Sequence, residues 1–263
     1  MIGSMVSFNP WKFLAYKDEC NGEPLEELLK GHLVNVALCT KTMACGLNAR
    51  LGRPELDEGV AFVAGLLHDI GKAACRYQQN VMRGFRDHEL LSTILAELLL
   101  KGQMDKDRIF MIIYAIASHH QAHRSLLESI GRKVNYKVDY EGLKCMMLFL
   151  NNVLARLDVV ERELKQLNIT IPRDLEDRLK SVSIEDAGVY VRNLLIDYVD
   201  KLGDGYREVI AKSRVYAGLL MACDKKVSVE SRRSQLCGGR VEGDEYYDSV
   251  KRFYDLYTVS GCT

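Results

Sequence analysis

Six histidines fall between positions 32 and 123 of a 263-residue chain, and at least four of them stand at the ends of apolar segments. Imidazole nitrogens and carboxylate oxygens are donors suited to transition metals such as Zn, Mn, Fe, Co or Ni. Surface histidines would scatter along the whole chain, so the clustering favours a metal centre. Its middle is Leu66-Leu67-His68-Asp69-Ile70-Gly71-Lys72, which ends the wholly apolar run Val60-Ala61-Phe62-Val63-Ala64-Gly65. A helix apolar on all sides is a buried one, and ionisable groups delivered to the interior are costly unless paired or metal-bound. An isolated His-Asp dipeptide is more often a buried hydrogen-bonded pair than a ligand set. Here His32 precedes it, His88 and the adjacent His119-His120 follow it, and Asp224 sits on a later apolar helix.

The elements that must position these residues read as all-helical, because apolar spacing of three and four recurs and only four prolines are present. No hairpin stands out. Glu23-Pro24-Leu25-Glu26-Glu27 is expected to open a first helical turn, with Pro24 near N1, and His32 to head an amphipathic helix that ends at Gly52-Arg53-Pro54. A buried helix runs from about Asp57 to Asp69, and Gly71 is expected to stop it in the left-handed conformation. Asp87 is expected to N-cap a helix from His88 to about Lys101. Another apolar helix, Ile109 to Ser118, ends in His119-His120. Leu143 to Leu167 reads as one long helix, Ser183 as the cap of a helix from Ile184 to Leu202, and Asp244 to Tyr257 as a final amphipathic segment.

Lys and Arg together number 36, as do Asp and Glu, so no overall field draws the chain to a polyanion. A single domain over 1–263 suits the length. The eight cysteines show no C-x-x-C pair and no spacing of a structural zinc site. Cys39, Cys145 and Cys223 lie in apolar helical segments and read as reduced thiols acting as small hydrophobes, which fits a cytoplasmic protein. Met1 to Tyr16 lacks the basic and apolar regions of a signal peptide, and no stretch reaches the roughly 18 apolar residues of a membrane span.

The order His32, His68-Asp69 and Asp224 resembles the H…HD…D signature of the HD superfamily of metal-dependent phosphohydrolases. Four further motifs are similar to those of the HD nuclease of type I CRISPR systems. They are Glu23-Pro24-Leu25-Glu26-Glu27, Phe85-Arg86-Asp87-His88-Glu89, Ser118-His119-His120 and Ala222-Cys223-Asp224-Lys225-Lys226-Val227-Ser228. The spacing from Phe85 to His88-Glu89 is one residue longer than that family's pattern, and Cys223 and Val227 replace alanines.

The resemblance implies an all-α HD-domain bundle with additional C-terminal helices. Its metal-binding motifs would lie at 32–120 and 224, with a helical insertion at about 125–205. It also implies two divalent cations, transition metals (Mn, Ni, Co or Fe) or Mg. His32, His68, Asp69 and Asp224 would hold one cation, and His88, His119 and His120 the second, with Asp69 bridging. Two cations held about 3.5–4 Å apart suit in-line phosphoryl displacement without a Ser or Cys nucleophile. Lys72 would stabilise charge on the scissile phosphate, or equally be an exposed helix-end cation. His123 matches no family position.

The implied activity is hydrolysis of single-stranded DNA in CRISPR interference. The chain has no G-x-x-x-x-G-K-[ST] loop, so the expected partners are a separate CRISPR-associated helicase subunit and an RNA-guided surveillance complex. Lys225, Lys226, Arg232, Arg233 and Arg240, with Glu230 the one acid among them, are more often a solvated face than a phosphate track. Tyr77 and Phe85 could stack on bases, with core packing the stronger reading for Phe85. Two rivals stand beside this reading. One is an HD phosphohydrolase acting on nucleotides or cyclic nucleotides; the other is a helical scaffold with a residual metal site.

Overall fold

The computed structural model describes residues 9–20, 23–120, 138–180, 183–234, 244–257 and 262. They are predominantly helical, as the apolar periodicity predicts. The chain nevertheless enters through an antiparallel hairpin, β1 (Leu14–Cys20) and β2 (Glu23–Leu28), with Glu27 opposite Tyr16 and Pro24 opposite Glu19. This replaces the helical turn expected at Glu23–Glu27. The strand escapes a pattern reading because its inward residues are Leu25 and Glu27 while Leu28 faces water. An inward carboxylate breaks the alternation that marks a half-buried strand.

Helix α1 (Leu29–Leu51) buries Leu29, His32, Leu33, Val36, Ala37, Met43 and Ala44 and closes on Gly52 at φ 66°. Helix α2 (Glu58–Leu67) is capped by Asp57, which accepts from the N–H groups of Gly59 and Val60, and every residue from Val60 to Leu67 is buried. The two helices touch at Gly65, where a Cβ would lie 2.6 Å from Ala37 Cα. That approach sets the end of α2 beside His32.

After α2 the chain turns at Asp69 into a 3-10 segment, Ile70–Ala73, and the short α3 (Cys75–Gln78). Gly71 does not adopt the expected left-handed conformation; the positive-φ glycines among the described residues are Gly52, Gly84, Gly102 and Gly203. Its lack of a side chain is steric: a Cβ would lie 2.1 Å from the His88 carbonyl oxygen. Gly71 N–H donates to Ser92 Oγ at 2.8 Å, joining this turn to α4 (His88–Leu100).

Asp87 does not cap α4. It sits at φ 62° and its side chain makes no capping hydrogen bond. Helix α5 (Lys106–Ser118) is capped by Asp105. The long helix expected over 143–167 is instead α6 (Tyr140–Asn152), a 3-10 turn at Leu154–Arg156 and α7 (Asp158–Gln166). Val153 and Leu154 in the break and Val160 beyond it are all fully buried, which one straight helix does not arrange. Helix α8 (Leu175–Lys180) follows. Ser183 lies in a two-residue ladder, β3 (Val138–Asp139) with β4 (Ser183–Ile184), and Asp186 rather than Ser183 caps α9 (Ala187–Leu202).

Helix α10 (Tyr206–Ser234) packs on α1, α2 and α5, and α11 (Asp244–Tyr257) packs on α10. Tyr216 of α10 accepts the N–H of Asp57 at 2.6 Å and donates to the Asp57 carbonyl at 3.2 Å. The start of α2 is thereby tied to the helix that carries Asp224. Among the described residues no helix is long and apolar enough to cross a membrane.

The reduced-thiol reading is overturned by three disulfides, Cys39–Cys223, Cys45–Cys262 and Cys75–Cys145. The partners lie 184, 217 and 70 residues apart, so packing alone brings them together. The compartment inference drawn from free thiols loses that support. Alkylation of the denatured protein without reductant, read by peptide mass spectrometry, should leave these six cysteines unmodified. Each bridge should contribute about 2–4 kcal/mol to stability.

A paired substitution checks the helix contact. Gly65→Ala should cost about 1–3 kcal/mol because the backbone of Ala37 blocks its methyl. Gly218→Ala, in α10 with no atom within 4 Å of its Cβ position, should gain about 0.5–1 kcal/mol from helix propensity. Denaturant midpoints of both variants measure the difference.

Candidate metal centre

Five elements deliver ionisable side chains to one point. His32 comes from the first turns of α1, His68 and Asp69 from the end of α2, His88 from the start of α4, His119 and His120 from the end of α5, and Asp224 from the middle of α10. His32, His68, Asp69, His88 and His119 are buried, and the Asp224 side chain is 21% exposed.

The potential donor atoms fall into two groups that share Asp69. In the first, His32 Nε2 stands 3.2 Å from Asp69 Oδ2, 3.2 Å from Asp224 Oδ1 and 3.3 Å from His68 Nε2. In the second, His88 Nε2 lies 2.6 Å and His119 Nε2 3.4 Å from Asp69 Oδ1, with His120 Nε2 3.3 Å from His88 Nε2. Each group thus takes a different oxygen of the same carboxylate. The ligand set implied by the family resemblance is brought together in full. His123 lies outside the described residues.

The outer nitrogens show what the inner ones are for. His68 Nδ1 bonds the Gly65 carbonyl at 2.7 Å, His119 Nδ1 the Ile116 carbonyl at 2.6 Å and His88 Nδ1 the Phe85 carbonyl at 2.5 Å. Each acceptor lies three residues earlier. At the ends of α2 and α5 these carbonyls belong to the last turn, and that of Ile116 also accepts the His119 N–H at 3.5 Å. His32 Nδ1 bonds Glu27 Oε1 at 3.1 Å. A ring that donates through Nδ1 keeps a bare lone pair on Nε2, as ligating histidines do.

Lone pairs and carboxylate oxygens therefore face one another. Among the described residues the buried Nε2 of His119 makes no hydrogen bond. The donor set fits a pair of cations, which would satisfy every inward atom at once.

The electrostatics agree. Burial disfavours a charged His32, yet the carboxylates of Asp224, Asp69 and Glu27 outweigh it and hold its pKa well above the ordinary value. His68 is raised in the same way, against burial, by Asp69 and Asp224. Burial would raise Asp69, but His68, Lys72 and His88 hold it well below the carboxylate range. Asp224 is held low against burial by His32 and His68. Burial, then His119 and His88, push His120 far down, so its ring is neutral. Protons on His32 and His68 thus take the place that a cation would fill, and the two compete.

Lys72 Nζ sits 2.5 Å from Asp69 Oδ2, with its side chain 15% exposed. It is neither a free helix-end cation nor remote from the centre. Two contributors escaped the sequence reading of individual roles. Glu27 orients His32 from the hairpin, and Ser228 Oγ donates to Asp224 Oδ1 at 3.3 Å from one turn on. Glu27 lies within a family-like motif, but a carboxylate in a strand gives no local sign of its partner.

Both departures from the family pattern have structural counterparts. Immediately before His88, Asp87 is in the left-handed conformation, and His88 reaches Asp69. Cys223 bridges to Cys39, fixing α10 to α1 next to Asp224.

A helical bundle that closes on a buried histidine and carboxylate cluster of this kind is the framework of a metal-dependent hydrolase. Residues 29–163 match the family model of the HD domain, and the chain belongs to that family, within the HD phosphohydrolase superfamily. No curated protein and no solved structure gives a match.

Removal of single ligands separates the two groups. Asp69→Ala should lower bound metal, counted by plasma mass spectrometry after equilibration with Mn2+, from two ions per chain to none or one weakly held. His88→Ala should leave one. A count still at two in His88→Ala would remove His88 from the ligand set.

Proposed function

We propose that this protein is a metal-dependent nuclease that hydrolyses phosphodiester bonds of single-stranded DNA in CRISPR interference. The observation that carries the reading is the division of the donors into two groups on opposite oxygens of Asp69. A mononuclear nucleotide hydrolase needs His32, His68, Asp69 and Asp224 but has no use for His88, His119 and His120, which a binuclear phosphodiesterase would share. The paired arrangement suits a phosphodiester, whose attacking and leaving oxygens both need charge stabilisation.

His32, His68, Asp69 and Asp224 would hold one divalent cation, and Asp69, His88, His119 and His120 the other. When bound, they supply Lewis acidity to the phosphoryl oxygens and bring the pKa of a water toward neutrality. Three imidazoles in the second group favour Mn, Fe, Co or Ni over Mg. Asp69 would serve both cations, with one oxygen facing each set of donors, and the carbonyl-bonded Nδ1 atoms hold the rings of His68, His88 and His119. Lys72 places a cation beside the cluster, where negative charge grows during displacement.

The metal-binding core is read as 32–120 plus 224, with about 125–205 as an insertion in one domain. A separate helicase subunit and an RNA-guided surveillance complex would present the strand. A cytoplasmic setting accords with this role, and disulfide-rich intracellular proteins are known from hyperthermophiles.

The test sets metal-reconstituted protein against circular single-stranded DNA and a panel of nucleotides and cyclic dinucleotides, with Asp69→Ala to reveal contaminating nuclease. Cuts in the circle by the wild type alone are expected. Turnover of a small nucleotide with the circle left intact would move the assignment to an HD phosphohydrolase acting on nucleotides or cyclic nucleotides.

A further inference from the structure

The segment from Ile70 to Arg86 carries Lys72, Arg76, Arg83 and Arg86 and no acidic residue, in a chain whose charges balance overall. It runs from the His68-Asp69 pair to His88, so both of its ends are anchored in the metal centre. Its two aromatic residues have different fates. Tyr77 is buried, stacks under Arg76 at 4.6 Å and donates its hydroxyl to the Arg86 carbonyl. Phe85 is half-buried, meets Tyr77 edge-on at 5.7 Å and lies under Lys72 Nζ at 5.4 Å. Since Lys72 Nζ is itself 2.5 Å from Asp69 Oδ2, the Phe85 ring is the aromatic neighbour of the reacting centre.

The backbone holds this ring in place. Gly84 has φ 74° and ψ −177°, a conformation essentially confined to glycine. Asp87 at φ 62° closes the other side, and the Phe85 carbonyl is bound by His88. Between them, Arg83 and Arg86 are exposed. Arg83 has no ion pair among the described residues, and the Arg86 contact with Asp87 is long, at 3.8 Å. A fixed loop that carries a half-buried aromatic ring and two exposed guanidinium groups beside a phosphoryl-transfer centre has the chemistry of a single-stranded nucleic-acid subsite. Bases stack on aromatic rings whatever their identity, and arginines track the phosphates.

We infer that the Arg83–Arg86 loop is the subsite for the nucleotide adjoining the cleaved bond, with Phe85 stacking on its base and Arg83 and Arg86 holding flanking phosphates. This rests on the nuclease reading and names the part of the substrate that a small nucleotide lacks.

The test measures kcat/KM for an oligothymidylate with the metal-loaded full-length protein across a salt series. Arg83→Ala with Arg86→Ala should lower kcat/KM roughly tenfold and flatten its log–log salt dependence by about 1.4, since each phosphate left without its arginine removes about 0.7 from the slope. Phe85→Ala should lower it roughly tenfold, and Phe85→Trp should restore it, because either ring stacks. Arg53→Ala, the loss of one arginine just beyond the distant end of α1, should change neither quantity. Thermal midpoints confirm that the variants are folded. Wild-type values in the double-arginine variant would overturn the loop assignment and leave the nuclease reading standing. Failure of the wild type to cut the oligonucleotide would overturn both.

Discussion

A carboxylate 1% exposed, Asp69, stands between two sets of imidazoles that have already committed their Nδ1 atoms elsewhere. Most of the architecture follows from that constraint. Inside a protein, acceptors that face acceptors are costly, and here at least four ring nitrogens and three carboxylate oxygens do so within a few ångströms. Two kinds of occupant relieve the conflict, protons or metal cations. The raised pKa values of His32 and His68 are the proton solution. That solution leaves His119 Nε2 unbonded, whereas cations would use every inward atom.

The bundle is arranged to hold this cluster from its ends. Helix termini are natural places for it because carbonyls in the last turns of α2 and α5 orient His68 and His119 without any side-chain partner. The remaining elements remove slack. Gly65 against Ala37 and Gly71 against the His88 carbonyl bring backbones closer than any side chain permits. Gln78 bonds the Lys72 carbonyl and both backbone groups of Leu14, joining the hairpin to the turn after Asp69. The Cys39–Cys223 bridge and the Tyr216 to Asp57 contacts fix α10, and so Asp224, against α1 and α2. Ligands drawn from across 193 positions, from His32 to Asp224, need such ties to keep a common geometry.

What was legible in the sequence was whatever repeats at short range. The apolar run before His68-Asp69, the helices that end in His119-His120 and begin at His88, and the ordered ligand set could all be read from types and spacing. What stayed hidden depended on a distant partner. Glu27 points inward because His32 is there, and that one residue erases the alternation of β2. Gly71 looks like a left-handed stop, but its small size answers to the His88 carbonyl. Asp87 looks like a cap, yet it takes the left-handed conformation and makes no capping bond, while His88 beside it reaches Asp69. The three disulfides join cysteines that no spacing relates. Phe85 packs at the edge of the core as expected, while Tyr77 goes deeper because its hydroxyl finds the Arg86 carbonyl, which lets a polar-tipped ring go inside.

The two halves of the cluster are unequal in charge, and this gives the site a direction. The first group contains two carboxylates, Asp69 and Asp224, with Glu27 immediately behind His32. The second has three neutral-capable imidazoles and only a shared oxygen of Asp69, while Lys72 binds the other oxygen of that residue. An approaching phosphodiester is therefore repelled more by the Asp224 and Glu27 side, whose acid charge Lys72 offsets only in part, than by the side carrying His88, His119 and His120. Burial and its histidine neighbours keep His120 neutral, so it adds a donor atom there without adding a competing fixed charge. The cationic segment between Lys72 and Arg86 borders the His88 half through the Phe85 carbonyl, which His88 Nδ1 binds. Charge within the centre and charge along its border thus favour substrate entry from one side, set by where the acids are absent as much as by where the arginines are.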